Sequence, residues 1–304
     1  MTKNYVVVNI NFSLNEVKKA DMFNMDVITN VNEMQTRVLS IKDRKESIGF
    51  VPTMGVLHEG HVSLIRSARN ENDELIVSIY LNPTQFDNKD DFDNYPRQLD
   101  KDIEIVEREN ADVVFAPCTD ELYPEGFCTY VTQGKLIDSL CGRLRPGHFN
   151  GVTTIVTKLF NIIKPDRAYF GQKDYQQSIV IKKLIADLNM GIYIKVLPTV
   201  RDEDGLALSS RNKRLNPEER QGALCIYGSL LKAKSMFASN IKDSKEIIEE
   251  MTSIIKKVKH TRIDYISMVN AHTLEDVSSI NGKAVAAVAV WIGNTRLIDN
   301  IILE

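Results

Sequence analysis

The chain has 304 residues, enough for two domains of ordinary size or one large one. Lysine plus arginine number 38 against 41 aspartate plus glutamate, a net charge of −3, so the basic field that nucleic-acid binding requires is missing. Apolar content of 43 % suits a packed globular core, and the longest apolar run, Ala284 to Trp291, falls far below the ~18 residues that a membrane helix needs.

Residues 1–25 are poorly patterned, with Tyr5–Ile10 as a short strand and the rest a polar extension. No charged segment followed by an apolar stretch and a cleavage site marks a signal peptide. Cys118, Cys128, Cys141 and Cys225 form no CxxC pair and no zinc spacing, which suits reduced thiols in the cytoplasm. From residue 26 the pattern becomes regular. Val31, Met34, Val38, Leu39 and Ile41 suit an amphipathic helix. Strands are expected at 48–51, Leu75–Leu81 and Asp112–Ala116, with helical stretches between them. A helix over Gly151–Ile163, ended by Pro165, precedes a strand at Arg167–Phe170, a helix at Gln176–Asn189 and a strand at Ile192–Val200. Apolar strands alternating with helices predict a Rossmann-like parallel sheet with helices on both faces, over residues 26–199. After Val200 the rhythm changes to a polar loop, a helix entered at Asn216-Pro217, a helix over about 243–259 and strands at Ile263–Val269, Ala284–Trp291 and Thr295–Asn300. Residues 200–304 therefore read as a smaller α+β domain.

Five clusters carry polar chemistry. The first, Pro52-Thr53-Met54-Gly55-Val56-Leu57-His58-Glu59-Gly60-His61, sits where a strand becomes a helix. Unpaired N–H groups and the macrodipole at a helix N-terminus favour phosphate, and the two imidazoles are further donors. HEGH lacks the four-residue histidine spacing of a zinc protease; a plain helix cap is the competing reading. The second, Gly171-Gln172-Lys173-Asp174 with Gln177, follows a strand, and Lys173 suits a phosphate. The third, Leu208-Ser209-Ser210-Arg211, offers two hydroxyls and a guanidinium to phosphate oxygens, and residues 201–211 suggest a gate. The fourth, Asn82-Pro83-Thr84-Gln85-Phe86, presents an amide to a small substrate. Near it, the acidic run Asp87 to Asp93, Asp100 and Asp102 are where a magnesium ligand would be sought; Asp102 is the residue named, without a defined ligand set. The fifth is Arg145-Pro146-Gly147-His148-Phe149, either a cleft lining or a capping turn. No P-loop and no GxSxG elbow occurs.

In this order the clusters, with Tyr95-Pro96-Arg97 and Gly205-Leu206-Ala207, resemble the pantoate–β-alanine ligase (pantothenate synthetase) family over Asp26 to the C-terminus. The resemblance implies a Rossmann-like domain, a smaller C-terminal domain and a homodimer. It implies an ATP- and magnesium-dependent condensation of pantoate with β-alanine through a pantoyl adenylate, releasing pyrophosphate and then AMP. By motif, Met54, Gly55, Val56, Leu57, His58, Glu59, Gly60 and His61 would contact ATP, with His61 as proton donor. Gly171, Gln172, Lys173, Asp174, Val200, Leu208, Ser209, Ser210 and Arg211 would also contact ATP. Gln85 would contact pantoate and β-alanine, and Gln177 pantoate; His58, His61 and Lys173 would carry the chemistry. About 25 residues precede the point where that family usually begins. Gln172 stands where an acidic residue or lysine is common. A nucleotidyltransferase of the same superfamily, which stops after AMP or CMP transfer, and a non-catalytic nucleotide sensor are the competing readings.

Overall fold

Strand burial dictates the architecture. The computed structural model describes residues 25–87 and 89–304, so the strand expected at 5–10 lies outside the described residues. The first unit runs β1 (Asp26–Ile28), α1 (Val31–Asp43), β2 (Ile48–Thr53), α2 (Glu59–Arg69), β3 (Glu74–Ile79), α3 (Lys89–Asp93), α4 (Leu99–Arg108), β4 (Val113–Phe115), α5 (Thr119–Leu122), α6 (Leu140–Leu144), α7 (His148–Ile163), β5 (Arg167–Gly171), α8 (Tyr175–Asp187) and β6 (Tyr193–Leu197). Its sheet has the order β1-β4-β3-β2-β5-β6, and every pair is parallel. β3 is buried at all six positions, as expected of a strand covered on both faces. Alternation splits the residues between two cores. Phe50, Ile76 and Phe170 face α1, α7 and α8, whereas Val51, Val77 and Tyr169 face α2 and α4.

The second unit comprises α9 (Pro217–Gly222), α10 (Leu224–Ala238), α11 (Ser244–Lys256) and the antiparallel sheet β7 (Thr261–Asn270), β8 (Ala284–Ile292), β9 (Thr295–Leu303). One face of β8, Ala286, Val288 and Val290, packs on Ile226, Leu230, Ile247 and Met251 of its helices. The other, Val285 and Ala287, packs with Leu140 of α6 and against Tyr175 and Ile179 of α8, so the two units share an apolar seam.

Four elements depart from expectation. β1 is too short to show a period. α7 begins at His148 rather than 151, because Gly147 takes a left-handed conformation (φ +83°) that ends the preceding turn. The acidic run after Phe86 contains the short helix α3. The helix opened by Pro217, with Asn216 and Glu219 forming a capping box, stops at Gly222, and α10 follows at once.

The strand order reverses between β2 and β5, since β3 and β4 lie on one side of β2 and β5 and β6 on the other. In open α/β sheets the crevice at such a reversal, beyond the strands' carboxyl ends, binds ligands. Three neighbouring strands end there. β2 leads into the His58–His61 loop, β3 into the Asn82–Phe86 turn and β5 into the Gln172–Asp174 turn.

Candidate active site

The loop after β2 is held in an unusual conformation. Gly55 and Val56 both have positive φ (+78° and +53°), a region that a β-branched residue rarely adopts. Buried Asp102 on α4 holds them there. Its Oδ2 accepts from the Val56 N–H and its Oδ1 from the Leu57 N–H, each at 2.8 Å, and the Gln98 amide braces Oδ1 at 3.1 Å. Both carboxylate oxygens thus accept from the chain itself, which gives Asp102 an anchoring role. Among the described residues no cluster of three or more His, Cys, Asp or Glu could hold a metal ion. Other members of the acidic run are likewise engaged. Asp87 pairs with Arg145 at 2.5 Å, and Asp91 with Arg211 and Arg214 at 2.9 and 3.0 Å.

These bonds also revise the phosphate cradle. The Gly55 N–H donates to Thr53 Oγ1, the Gly60 N–H to His58 Nδ1 (3.1 Å), and the His58 N–H to His61 Nδ1 (3.3 Å). The backbone donors expected to face phosphate are therefore largely taken. His58 is the N-cap of α2 and shares a capping box with His61, so the cap reading and the site reading describe the same two residues. Capping decides their tautomers. An imidazole whose Nδ1 accepts carries its proton on Nε2 when neutral. The donors lost from the backbone thus reappear as two Nε2–H groups on rings 4.1 Å apart.

Burial, with Lys173 nearby, pushes His58 down to about 4. Burial, then His58 and Lys173, pushes His61 down to about 3. Both are neutral at pH 7 and donate without carrying charge. His148 has the opposite polarity. Its Nδ1 lies 2.6 Å from the Gln85 carbonyl, which can only accept, so Nδ1–H donates; burial and Arg145 push it down to about 4. Because all three fall below the usual 6.5 of an unfolded chain, unfolding takes up protons as pH drops from about 6.5 toward 4. Stability is fully present above that window and is lost through it. Melting temperature should fall steadily between pH 7 and 5 in the ligand-free protein; a flat profile there would contradict the neutral imidazoles.

Gln85 is buried in a one-turn helix. Its Nε2 donates to Met54 Sδ at 2.6 Å and its Oε1 accepts from Asn82 Nδ2 at 3.2 Å. Asn82 also donates to the Gly151 carbonyl on α7 at 3.1 Å. A Cβ on Gly151 would collide with the Thr84 carbonyl, so glycine is what lets α7 approach this turn. On α8, Gln176 turns inward to the Leu136 and Ser139 carbonyls, while the Gln177 side chain forms no hydrogen bond among the described residues. Glu59 turns away from the cleft to Arg66 at 2.5 Å.

The second unit supplies the remaining wall. Residues 200–208 form a small hairpin in which the Leu208 N–H donates to the Val200 carbonyl and Arg201 bridges Ala207. Arg201 pairs with Asp299 at 2.6 and 3.0 Å and lies 4.0 Å over the Tyr227 ring; Arg220 binds Asp202 and Asp204 at 2.8 and 2.9 Å. Leu206 and Ala207 are buried. Residues 201–207 are thus fastened to their own unit, whereas Ser210 and Arg211 reach the first unit at Tyr95 and Asp91. Ser209 caps the Ser210–Arg214 turn, and Ser210 Oγ lies 3.2 Å from Tyr95 Oη. Lys173 and Ser209 line one small cavity with Asn212 and Asp299. Lys173 lies 4.0 Å from the carboxylate of exposed Asp174. With Lys173 also acting on both imidazoles, the first three clusters meet, and Met54 links them to Gln85. Asp102 as an anchor and Asn300 escaped sequence reading. The one sign of Asn300 is that Asp299 and Asn300 interrupt the apolar stretch from Leu297 to Leu303.

Known proteins bear on this arrangement. The family model for pantoate-beta-alanine ligase matches residues 26–302. A pantothenate synthetase of Thermotoga petrophila is 50 % identical over 279 residues, 92 % of this chain and all of that one. One of Sulfurihydrogenibium is 51 % identical over 278 residues, 91 % of this chain and 99 % of that one. Among solved structures, a pantothenate synthetase from Thermus thermophilus superposes with a TM-score of 0.86 at 40 % identity, over 91 % of this chain and 99 % of that one. A Francisella tularensis pantoate-beta-alanine ligase complexed with beta-gamma ATP and beta-alanine gives 0.76 at 37 % identity, over 91 % and 97 %. A family match across nearly all of the chain, on a fold whose strand reversal gathers the motif residues, has one reading: the chain belongs to the pantoate–β-alanine ligase family.

Proposed function

We propose that this enzyme joins pantoate to β-alanine in two steps at the crevice between β2 and β5. The observation that carries the reading is the convergence of the two neutral imidazoles, Lys173 and Ser209 from separate parts of the chain. In the first step a pantoate carboxylate oxygen attacks the α-phosphorus of ATP. The bond to the β,γ-phosphates breaks, and pyrophosphate leaves with the electron pair. Negative charge grows on the α-phosphate and on the leaving group. Positioned donors stabilise such charge, and they contribute most of the catalysis in transfers of this kind. We assign this to the Nε2–H groups of His58 and His61, with Lys173, Ser209, Ser210 and Arg211. His61 serves as a donor in its neutral form. In the second step the β-alanine amine attacks the acyl carbon, the bond to the phosphate oxygen breaks, AMP departs with the electron pair, and the amine nitrogen gives up one proton to water.

Met54 to His61, Gly171 to Asp174, Val200 and Leu208 to Arg211 make up the ATP-contacting set. Gln85 and Gln177 are assigned to pantoate, with Gln85 also to β-alanine. Arg211 must exchange Asp91 for a phosphate oxygen to take part. Magnesium would enter with ATP, held mainly by phosphate oxygens and water; the described residues offer it no cage of their own, and charge stabilisation is assigned to the side chains. The division at about residue 200, into an ATP- and pantoate-binding part and a C-terminal part, belongs to the same reading. So do a homodimer, testable by sedimentation, and a cytoplasmic location, which the four free cysteines favour.

The deciding experiment measures AMP and pyrophosphate release as a function of both acids. Pyrophosphate exchange should need pantoate alone, and sustained AMP release should need β-alanine too. AMP or CMP transfer to a phosphorylated acceptor would favour the nucleotidyltransferase reading, and ATP binding without turnover the sensor.

A further inference from the structure

Lys173 sits in the one-turn helix Gln172–Asp174 at the end of β5, just before α8. Two of its backbone carbonyls also accept from the other unit. Asn300, on strand β9, donates its Nδ2 to the Gln172 carbonyl at 2.9 Å and to the Lys173 carbonyl at 3.0 Å. Its Oδ1 accepts from Gln172 Nε2 at 3.3 Å, and its backbone N–H donates to Asp299 Oδ1 at 2.8 Å. Both side-chain ends of Asn300 are therefore engaged, and the residue is 3 % exposed.

The next residue back does the matching task on the opposite side of the strand. Asp299 is 4 % exposed and grips Arg201 through both oxygens. Successive strand residues point to opposite faces. One dipeptide therefore holds the lysine turn in one direction and the root of the 200–208 hairpin in the other. β9 is an edge strand, which leaves this side free to meet the first unit.

We infer that Asn300 is a positioning residue for Lys173, setting the lysine's place relative to the Ser209–Arg211 wall through the two carbonyls it binds. The inference rests on Lys173 serving ATP as proposed above. No other side chain among the described residues reaches across to these two carbonyls. Without the amide the turn would lose both hydrogen bonds that tie it to β9 and would be free to shift. A displacement of about 1 Å at a reacting group costs on the order of 100-fold in rate, so a partial shift should be plainly measurable.

The test is a double-mutant cycle read by pantoate-dependent pyrophosphate exchange, with melting curves on every variant. Asn300→Ala should lower the exchange kcat by about tenfold or more, with the pantoate KM changed by less than about threefold. In a Lys173→Ala background the same change should cost less than about twofold, because the group it positions has gone. A purely structural role would give equal fold-losses in both backgrounds and would overturn the inference, as would an Asn300→Ala enzyme within about twofold of the parent. Asn300→Asp keeps the side-chain volume and places an acceptor against two acceptors. It should lose at least as much activity as the alanine variant, and it carries the test if that variant does not fold. Near-normal exchange by Lys173→Ala alone would instead remove the lysine from the site, and the two failures are told apart by that single variant.

Discussion

Replacing His61 with alanine should lower pantoate-dependent pyrophosphate exchange by about 100-fold or more, the usual effect of removing one preorganised donor from a charge-stabilising site. The structure allows a sharper version. His61 has two tasks on two nitrogens: Nδ1 accepts from the His58 N–H, and Nε2–H is the proposed donor to phosphate. Asparagine can place an acceptor near the Nδ1 position but has nothing at Nε2. Glutamine reaches the Nε2 position with an N–H but abandons the cap. If the donor is what matters, His61→Gln should retain clearly more exchange activity than His61→Asn, although the asparagine variant should melt at the higher temperature. The reverse order of activities would assign His61 to capping alone. Exchange by His61→Ala within about threefold of the parent would remove it from the chemistry altogether.

Asp102→Ala should be the most damaging change outside the cleft. It strips the acceptor from two buried backbone N–H groups, each costing roughly 1–3 kcal/mol when left unpaired. It also releases Val56 from a left-handed conformation that holds only because its surroundings over-determine it. A loss of about 2 kcal/mol or more, seen as a melting temperature lower by about 5 °C or more, is expected. Exchange activity should fall as well at temperatures where the variant is folded, because the relaxed loop no longer delivers His58 and His61 together. Asparagine should not rescue, since its amide sets an N–H₂ group against one of the two donors. A variant that melts and exchanges like the parent would refute the anchoring role.

Asp91 has a simpler part. It pairs with Arg211 and Arg214, so the Ser210–Arg214 turn does not carry bare guanidinium groups on either side of Lys213. The same pairing, with Tyr95 against Ser210, ties the Ser210–Arg214 turn to the first unit.

The order of strands and helices was legible because burial imposes period. β3, β5 and α7 announce themselves through runs that water would penalise, and clusters after β2, β3 and β5 could be assigned to the carboxyl ends of strands. The HEGH element was legible for a different reason: a helix entrance, two imidazoles and flanking glycines are adjacent in the chain. What the amino-acid order alone determined is therefore the layered α/β plan and the local motifs, since both depend on near neighbours. The tertiary structure alone decided which of the motif's donors the chain itself engages. Asp102 takes the loop's N–H groups from 46 and 45 positions away, and Asn300 holds the lysine turn from 128 and 127 positions away. Such hydrogen bonds leave no periodic trace, because nothing in the spacing of residues records a partner brought close only by folding.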